Sequence, residues 1–249
     1  MRKEININQL ATAVMHWLSY TSAVGRNYIL NEGSIKYPVS EYLERTTRYV
    51  DDIMLEFGHP KLSMKRFDLF YKKKRSEKSV FEFKYIKNGS SRKREEKQRI
   101  FNDLMRLHLY LSGKNKSYFL ICGNQKDFVC DFQTLKLKLD DTNDSLFITP
   151  RFYKNLPKTI ESKGFYTEWF SFDSNNPLKT INLESENTEY QNIYKKFVKE
   201  YSAAYKEKTT RKLTLPKIIK TNLLFLTGNI EQTPILSQPS KIGIWEVTK

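Results

Sequence analysis
Phe67-Asp68-Leu69-Phe70-Tyr71, a lysine-rich turn at Lys72-Lys73-Lys74-Arg75, and Val80-Phe81-Glu82-Phe83-Lys84-Tyr85-Ile86 make up the stretch that decides the fold. Asp68 precedes Glu82 by fourteen positions, and Lys84 follows Glu82 by two. Side chains alternate between the two faces of a β-strand. Phe67, Leu69 and Tyr71 therefore share one face of the first segment, with Asp68 on the other. Phe81, Phe83 and Tyr85 share one face of the second, and Glu82 and Lys84 point together the opposite way. Two adjacent strands of this kind set two carboxylates and an ammonium side by side. Paired carboxylates hold a hard divalent cation through oxygen. A lysine beside them orients or activates a water, or steadies charge developing on phosphate. That chemistry suits hydrolysis of a phosphodiester.

The arrangement resembles the PD-(D/E)xK nuclease superfamily, which includes many restriction-type endonucleases. The resemblance spans roughly the first half of the chain: a helix with an acid, an Asp strand, an E-x-K strand, a helix and a further strand. It implies Asp68 and Glu82 as ligands of Mg²⁺, with Mn²⁺ able to substitute, Lys84 as the catalytic lysine and the Phe83 main-chain carbonyl as a further ligand. It also implies an acid from the preceding helix, Glu41 beside Ser40 first and Glu44 second. Phe67 stands where the family usually has proline. E-x-K recurs at Glu95-Lys97 and Glu161-Lys163, but only Glu82 lies in an apolar, aromatic segment.

Charge points the same way. The chain has 43 Lys+Arg against 28 Asp+Glu, a formal net charge of +15. Between Lys65 and Arg99 there are fourteen basic and five acidic residues. Lys72, Lys73, Lys74 and Arg75 precede the E-x-K segment, and Arg92, Lys93 and Arg94 follow it; Arg99 and Arg106 continue the series. Such clustering is the electrostatic footprint of a nucleic-acid partner, DNA in the first instance.

The 249 residues, 39% hydrophobic and 14% aromatic, are enough for a real core. No run of about 18 apolar residues marks a membrane span, and the N-terminus has no signal-peptide core. Cys122 and Cys130 read as ordinary thiols of a cytoplasmic protein. The three histidines have no zinc-site spacing.

Apolar periodicity predicts a helix over about 8–20 and a second from about Pro38 to Phe57, with Gly33-Ser34 as a break. Tyr42, Tyr49, Val50, Ile53 and Phe57 form the core stripe of that second helix. A helix over 95–112 carries Ile100, Leu104, Leu107 and Leu111 toward the core, with Arg99, Asp103, Arg106 and Tyr110 on an adjacent polar stripe. Asp103-Leu104-Met105-Arg106-Leu107 is similar to a D-x-x-R-L helix of some superfamily members, and His108 reads as packed. Ser117 to Gly123 is a buried strand, parallel, reached through that helix.

Farther on, 135–139, 146–152 and 165–172 are weak strands, 187–205 is a helix with an aromatic stripe, and 223–226 and 242–247 are terminal strands. Asp140 to Asp144 reads as a solvated turn, lacking the glycine and distal glutamate of a calcium loop. The expected class is α/β: a restriction-endonuclease-like core over 1–130, with a mixed sheet flanked by helices. An α+β extension over 131–249 completes the sheet or forms a small accessory lobe. The expected activity is that of a metal-dependent endonuclease, with restriction or phage defence as its setting. The competing readings are a catalytically silent nuclease-fold module that binds nucleic acid, and a scaffold that binds a protein partner. A homodimer, or a place in a larger defence or repair assembly, would accompany double-strand cutting.

Overall fold
The computed structural model describes residues 4–46, 52–74, 77–86, 94–124, 135–138, 159–162, 169–184, 188–205, 213–227 and 240–249. Helices α1 (Ile7–Ala23) and α2 (Glu32–Glu44) come first, then strands β1 (Ile53–Gly58), β2 (Arg66–Lys74) and β3 (Glu77–Ile86). Helix α3 (Arg94–Tyr110) leads to β4 (Lys116–Asn124). Strands β5 (Leu135–Lys138), β6 (Thr159–Ser162) and β7 (Leu178–Asn182), helix α4 (Thr188–Ala204), and strands β8 (Ile218–Leu226) and β9 (Ser240–Thr248) complete the order. Seven strands form one mixed sheet in the order β1-β2-β3-β4-β9-β8-β7, and β5 and β6 pair separately. β3 and β4 run parallel across the α3 crossover, while the other neighbours are antiparallel. The chain is thus α/β, with strands from its last third extending the sheet begun by its first half.

Both faces of the sheet are covered. Leu10, Val14 and Leu18 of α1 and Ile35, Val39 and Leu43 of α2 pack on Leu69, Tyr71, Phe81, Phe83, Tyr118 and Leu120. Ile100, Phe101 and Leu104 of α3 and Phe197 and Tyr201 of α4 pack on Phe70, Val80, Phe119, Ile121 and Trp245. The Tyr201 hydroxyl donates to the Asn102 carbonyl at 3.0 Å, which ties α4 to α3. Gly243 faces the Trp245 ring so closely that a Cβ there would collide with the indole, and the indole N–H is held by Ser171 O at 2.8 Å.

The second helix differs from its sequence expectation. It covers Glu32–Glu44, with Pro38 inside it, and Ile53 to Phe57 belong to a strand. The reason is local: Asn31 caps the helix, its side chain accepting from Ser34 N at 3.0 Å while Ser34 Oγ accepts from Asn31 N at 3.0 Å. This capping box starts the helix through Gly33-Ser34. Tyr49 and Val50 lie outside the described residues, as do 146–152 and the Asp140–Asp144 turn. Of 165–172, the described part, 169–172, is not a strand. Phe67 also departs from its expected face: it packs on the α3 side, edge to Tyr110 at 5.2 Å, while Leu69 and Tyr71 face α1 and α2. The change of face coincides with an irregularity in the neighbouring strand. Leu55 pairs with Leu69 and Phe57 with Phe67, and Glu56 between them, opposite Asp68, has φ 51, the left-handed region.

Candidate functional site
Asp68, Glu82 and Lys84 come together where β2 and β3 part. Backbone pairing of β2 with β3 reaches Leu69 and Phe81, whereas β3 stays paired with β4 as far as Ile86. In the gap, the Phe83 N–H donates to Asp68 Oδ2 at 2.8 Å. A strand residue's N–H and C=O point to the same side, so the Phe83 carbonyl, expected among the ligands, is directed into this gap as well. Glu82 and Lys84, two apart on β3, are buried, at 2% and 7% exposure.

Three further elements close on this centre. From α3, Arg106 donates through Nε and Nη2 to Glu82 Oε1 at 2.9 and 2.7 Å, and through Nη2 to Asp103 Oδ1 at 2.7 Å. Asp103 and Arg106 are three residues apart on the helix, which places them on one side of it. From α2, Glu32 Oε2 lies 3.0 Å from Lys84 Nζ, and Lys36 Nζ lies 3.0 Å from Asp68 Oδ1. Lys36 also bonds the carboxylate of Glu56 on β1. Glu32, Glu56, Asp68, Glu82 and Asp103 thus meet Lys36, Lys84 and Arg106, an excess of two negative charges when all are ionised.

Protonation reflects this crowding. Burial pushes the Glu82 carboxyl well above the ordinary glutamate range; Arg106 opposes the shift, and the Asp103 and Asp68 charges add to it. Burial likewise pushes Asp103 up to about 7 against the pull of Arg106 and Lys84. For Lys36, burial acts downward, but the hydrogen bonds to Glu56 and Asp68 outweigh it and hold the ammonium above the usual lysine value. Upward shifts of two buried acids beside a lysine held charged are the kind of perturbation that clusters at functional sites.

The helix acid is a correction. Glu41 is exposed and pairs with Arg45 at 2.7 Å, and Glu44 is exposed too. At 100° per residue, Glu41 stands half a turn away from Glu32, on the opposite face of α2. Glu32 is the acid that faces the site. It was legible as Glu32-x-x-x-Lys36 behind an Asn31 cap, but Gly33 and Pro38 masked that pattern. Lys36 and Glu56 were missed for the same reason, both lying where the helix boundaries were misread.

Of the expected nucleic-acid contacts, Arg106 belongs to the buried ion-pair network instead of a phosphate-facing surface. Arg99 is exposed, and Lys72 is part-exposed, 4.0 Å from Asp52. Arg75, Arg92 and Lys93 lie outside the described residues, as do the side chains of Lys73, Lys74 and Arg94. The alternative E-x-K copies fall outside them as well, Glu161 and Glu95 by their side chains. His108 is packed, its pKa lowered to about 4 by burial and by the nearby Lys249. Tyr110 is core, not site lining.

The residues present suit a magnesium-type ion. Among the described residues no group of three or more His, Cys, Asp or Glu side chains forms a metal cage. Mg²⁺, however, is usually bound by one or two carboxylates with waters and substrate phosphate, not by an all-protein cage. Asp68 and Glu82 provide hard oxygen donors of that number, within a cluster short of positive charge. A separate cavity of ≈ 320 Å³ opens at the other end of β3, lined by Tyr71, Glu77, Lys78, Ser79, Lys116 and Tyr118 among others. Among the described residues no helix is long and apolar enough to cross a membrane. No family model, curated protein or solved structure matches the chain.

Proposed function
We propose that the chain is a metal-dependent nuclease with a restriction-endonuclease-like core, acting on DNA in a restriction or defence setting. The observation that carries this reading is the meeting of Asp68, Glu82 and Lys84 at the parting of β2 and β3. Asp68 and Glu82 would hold Mg²⁺ or Mn²⁺. When bound, such an ion polarises a phosphoryl oxygen and lowers the pKa of a coordinated water.

The chain's own residues do the rest. The Phe83 N–H fixes one oxygen of Asp68, and the two Arg106 donors fix Oε1 of Glu82. Glu32 holds the Lys84 ammonium, and Lys84 orients the attacking water toward phosphorus for in-line displacement of the 3′ oxygen. Exposed and part-exposed basic residues, Lys72 and Arg99 among them, neutralise the backbone of the bound strand.

The test is cleavage of supercoiled plasmid and of single-stranded DNA with Mg²⁺ or Mn²⁺, with EDTA and Glu82→Gln as controls. Cutting is expected to need metal and to fall by on the order of 10²–10³-fold in Glu82→Gln and in Lys84→Ala, the range for loss of one charge-stabilising group. Cutting at the parental rate in both variants would refute the assignment. The silent binding module has one observation on its side, that Asp68 and Glu82 each already carry a protein cation. Salt-sensitive DNA binding without cutting under any metal would decide for it.

A further inference from the structure
Lys36 and Glu56 do more than line the site. Lys36 Nζ lies 3.0 Å from Asp68 Oδ1, at the oxygen not taken by the Phe83 N–H, and is itself only 14% exposed. A cation bound by Asp68 therefore competes with the Lys36 ammonium for the same carboxylate. Two positive charges on one carboxylate repel, and a part-buried setting screens that repulsion less than bulk water does.

Lys36 has a second partner, Glu56, and Glu56 holds an uncommon backbone conformation to be there. Its φ of 51 is one that non-glycine residues rarely adopt. Glu56 lies on the edge strand and its side chain is 51% exposed. Its carboxylate is on Lys36. Strain of this kind persists where the surroundings impose it, and it concentrates at functional sites.

We propose that Lys36 is an exchangeable counter-cation of Asp68. It neutralises the carboxylate while the metal is absent, and Glu56 receives the ammonium when a divalent cation takes its place. Each carboxylate keeps a cationic partner in both states: Lys36 is shared by Asp68 and Glu56 before the ion binds, and belongs to Glu56 while the metal serves Asp68 afterwards. Lys36 is thus a positioning residue that sets how tightly the site holds its metal. This rests on the reading of Asp68 as a metal ligand, and the experiment separates the two.

Mn²⁺ alone is the probe, titrated calorimetrically into the full chain without DNA, with Asp68→Asn defining binding elsewhere. Lys36→Met is expected to bind Mn²⁺ at least about tenfold more tightly than the parent. Lys36→Gln provides the same readout should the methionine variant fold poorly by circular dichroism. Glu56→Gln is expected to weaken binding several-fold in the parent yet to change nothing in the Lys36→Met background, because Glu56 acts through Lys36. Equal affinity in the parent and both Lys36 variants overturns the exchange while leaving the nuclease reading intact. So do additive effects of the two substitutions, which mark a diffuse field instead of a coupled pair. No difference between the parent and Asp68→Asn overturns the metal reading itself.

Discussion
At the scale of single residues, the chemistry of this chain lies in where it buries charge. Asp103 and His108, five positions apart on α3, are shifted in opposite senses. The raised Asp103 carboxyl lets the folded state keep a proton that the unfolded chain releases. Its contribution is present below about pH 4 and is lost as pH rises through about 7. His108, lowered to about 4, stays neutral in the fold while the unfolded chain charges, so its contribution is lost as pH falls from about 6.5 toward 4. Melting temperatures recorded in EDTA from pH 4 to 8 should therefore show a smaller neutral-side decline in Asp103→Asn, with the raised Glu82 carboxyl still contributing, and lose the acid-side decline in His108→Gln. Profiles parallel to the parent in both variants would remove the argument. Burial, not sequence neighbourhood, causes both shifts, which is why neither was legible beforehand.

At the scale of elements, α2 is decisive. One helix of thirteen residues presents Glu32 to Lys84 and, one turn later, Lys36 to Asp68. Its first turn depends on the Asn31–Ser34 capping box. Asn31→Ala should lower stability in denaturant by about 1 kcal/mol. Because fraying starts at Glu32, cleavage should fall by more than that loss of stability accounts for, and Asn31→Ser should restore both. A stability loss with unchanged cleavage would disconnect the cap from the site. The β2–β3 pair and α3 were readable because their patterns are local: alternating aromatics in one, a four-residue apolar stripe in the other. The start of α2 was not. Gly33 and Pro38 weigh against helix by propensity, and a cap plus burial of Ile35, Val39 and Leu43 overrides them.

At the scale of the whole molecule, a chain of net charge +15 carries a cluster of five acids and three bases, of which Glu32 and Glu56 are the acids with exposed side chains. A polyanion held by the basic surface would present its phosphates to that cluster. Binding of a DNA duplex to Glu82→Gln, which separates binding from cutting, should weaken linearly in log–log form with salt. For about four neutralised phosphates, the loss between about 50 and 200 mM is on the order of a hundredfold. Affinity flat across that range would remove nucleic acid as the partner. The sheet that supports the site is also a whole-molecule property. Strand β9 lies beside β4, between the two halves of the chain, and its Ile242, Ile244 and Trp245 complete both hydrophobic layers.

By itself, the sequence determined the strand faces of Phe81, Phe83 and Tyr85 against Glu82 and Lys84, the parallel β4, the helix that leads to it and the terminal strands. Each depends on residues within a few positions of one another, where side-chain period and charge can be read directly. Only the tertiary structure decided that Glu32 and not Glu41 faces Lys84, that Lys36 reaches both Asp68 and Glu56, and that Arg106 is buried against Glu82 rather than exposed to phosphate. Those contacts join residues twenty to fifty-two positions apart. They exist because antiparallel register, a parting pair of strands and two covering layers bring charges together that no local pattern relates.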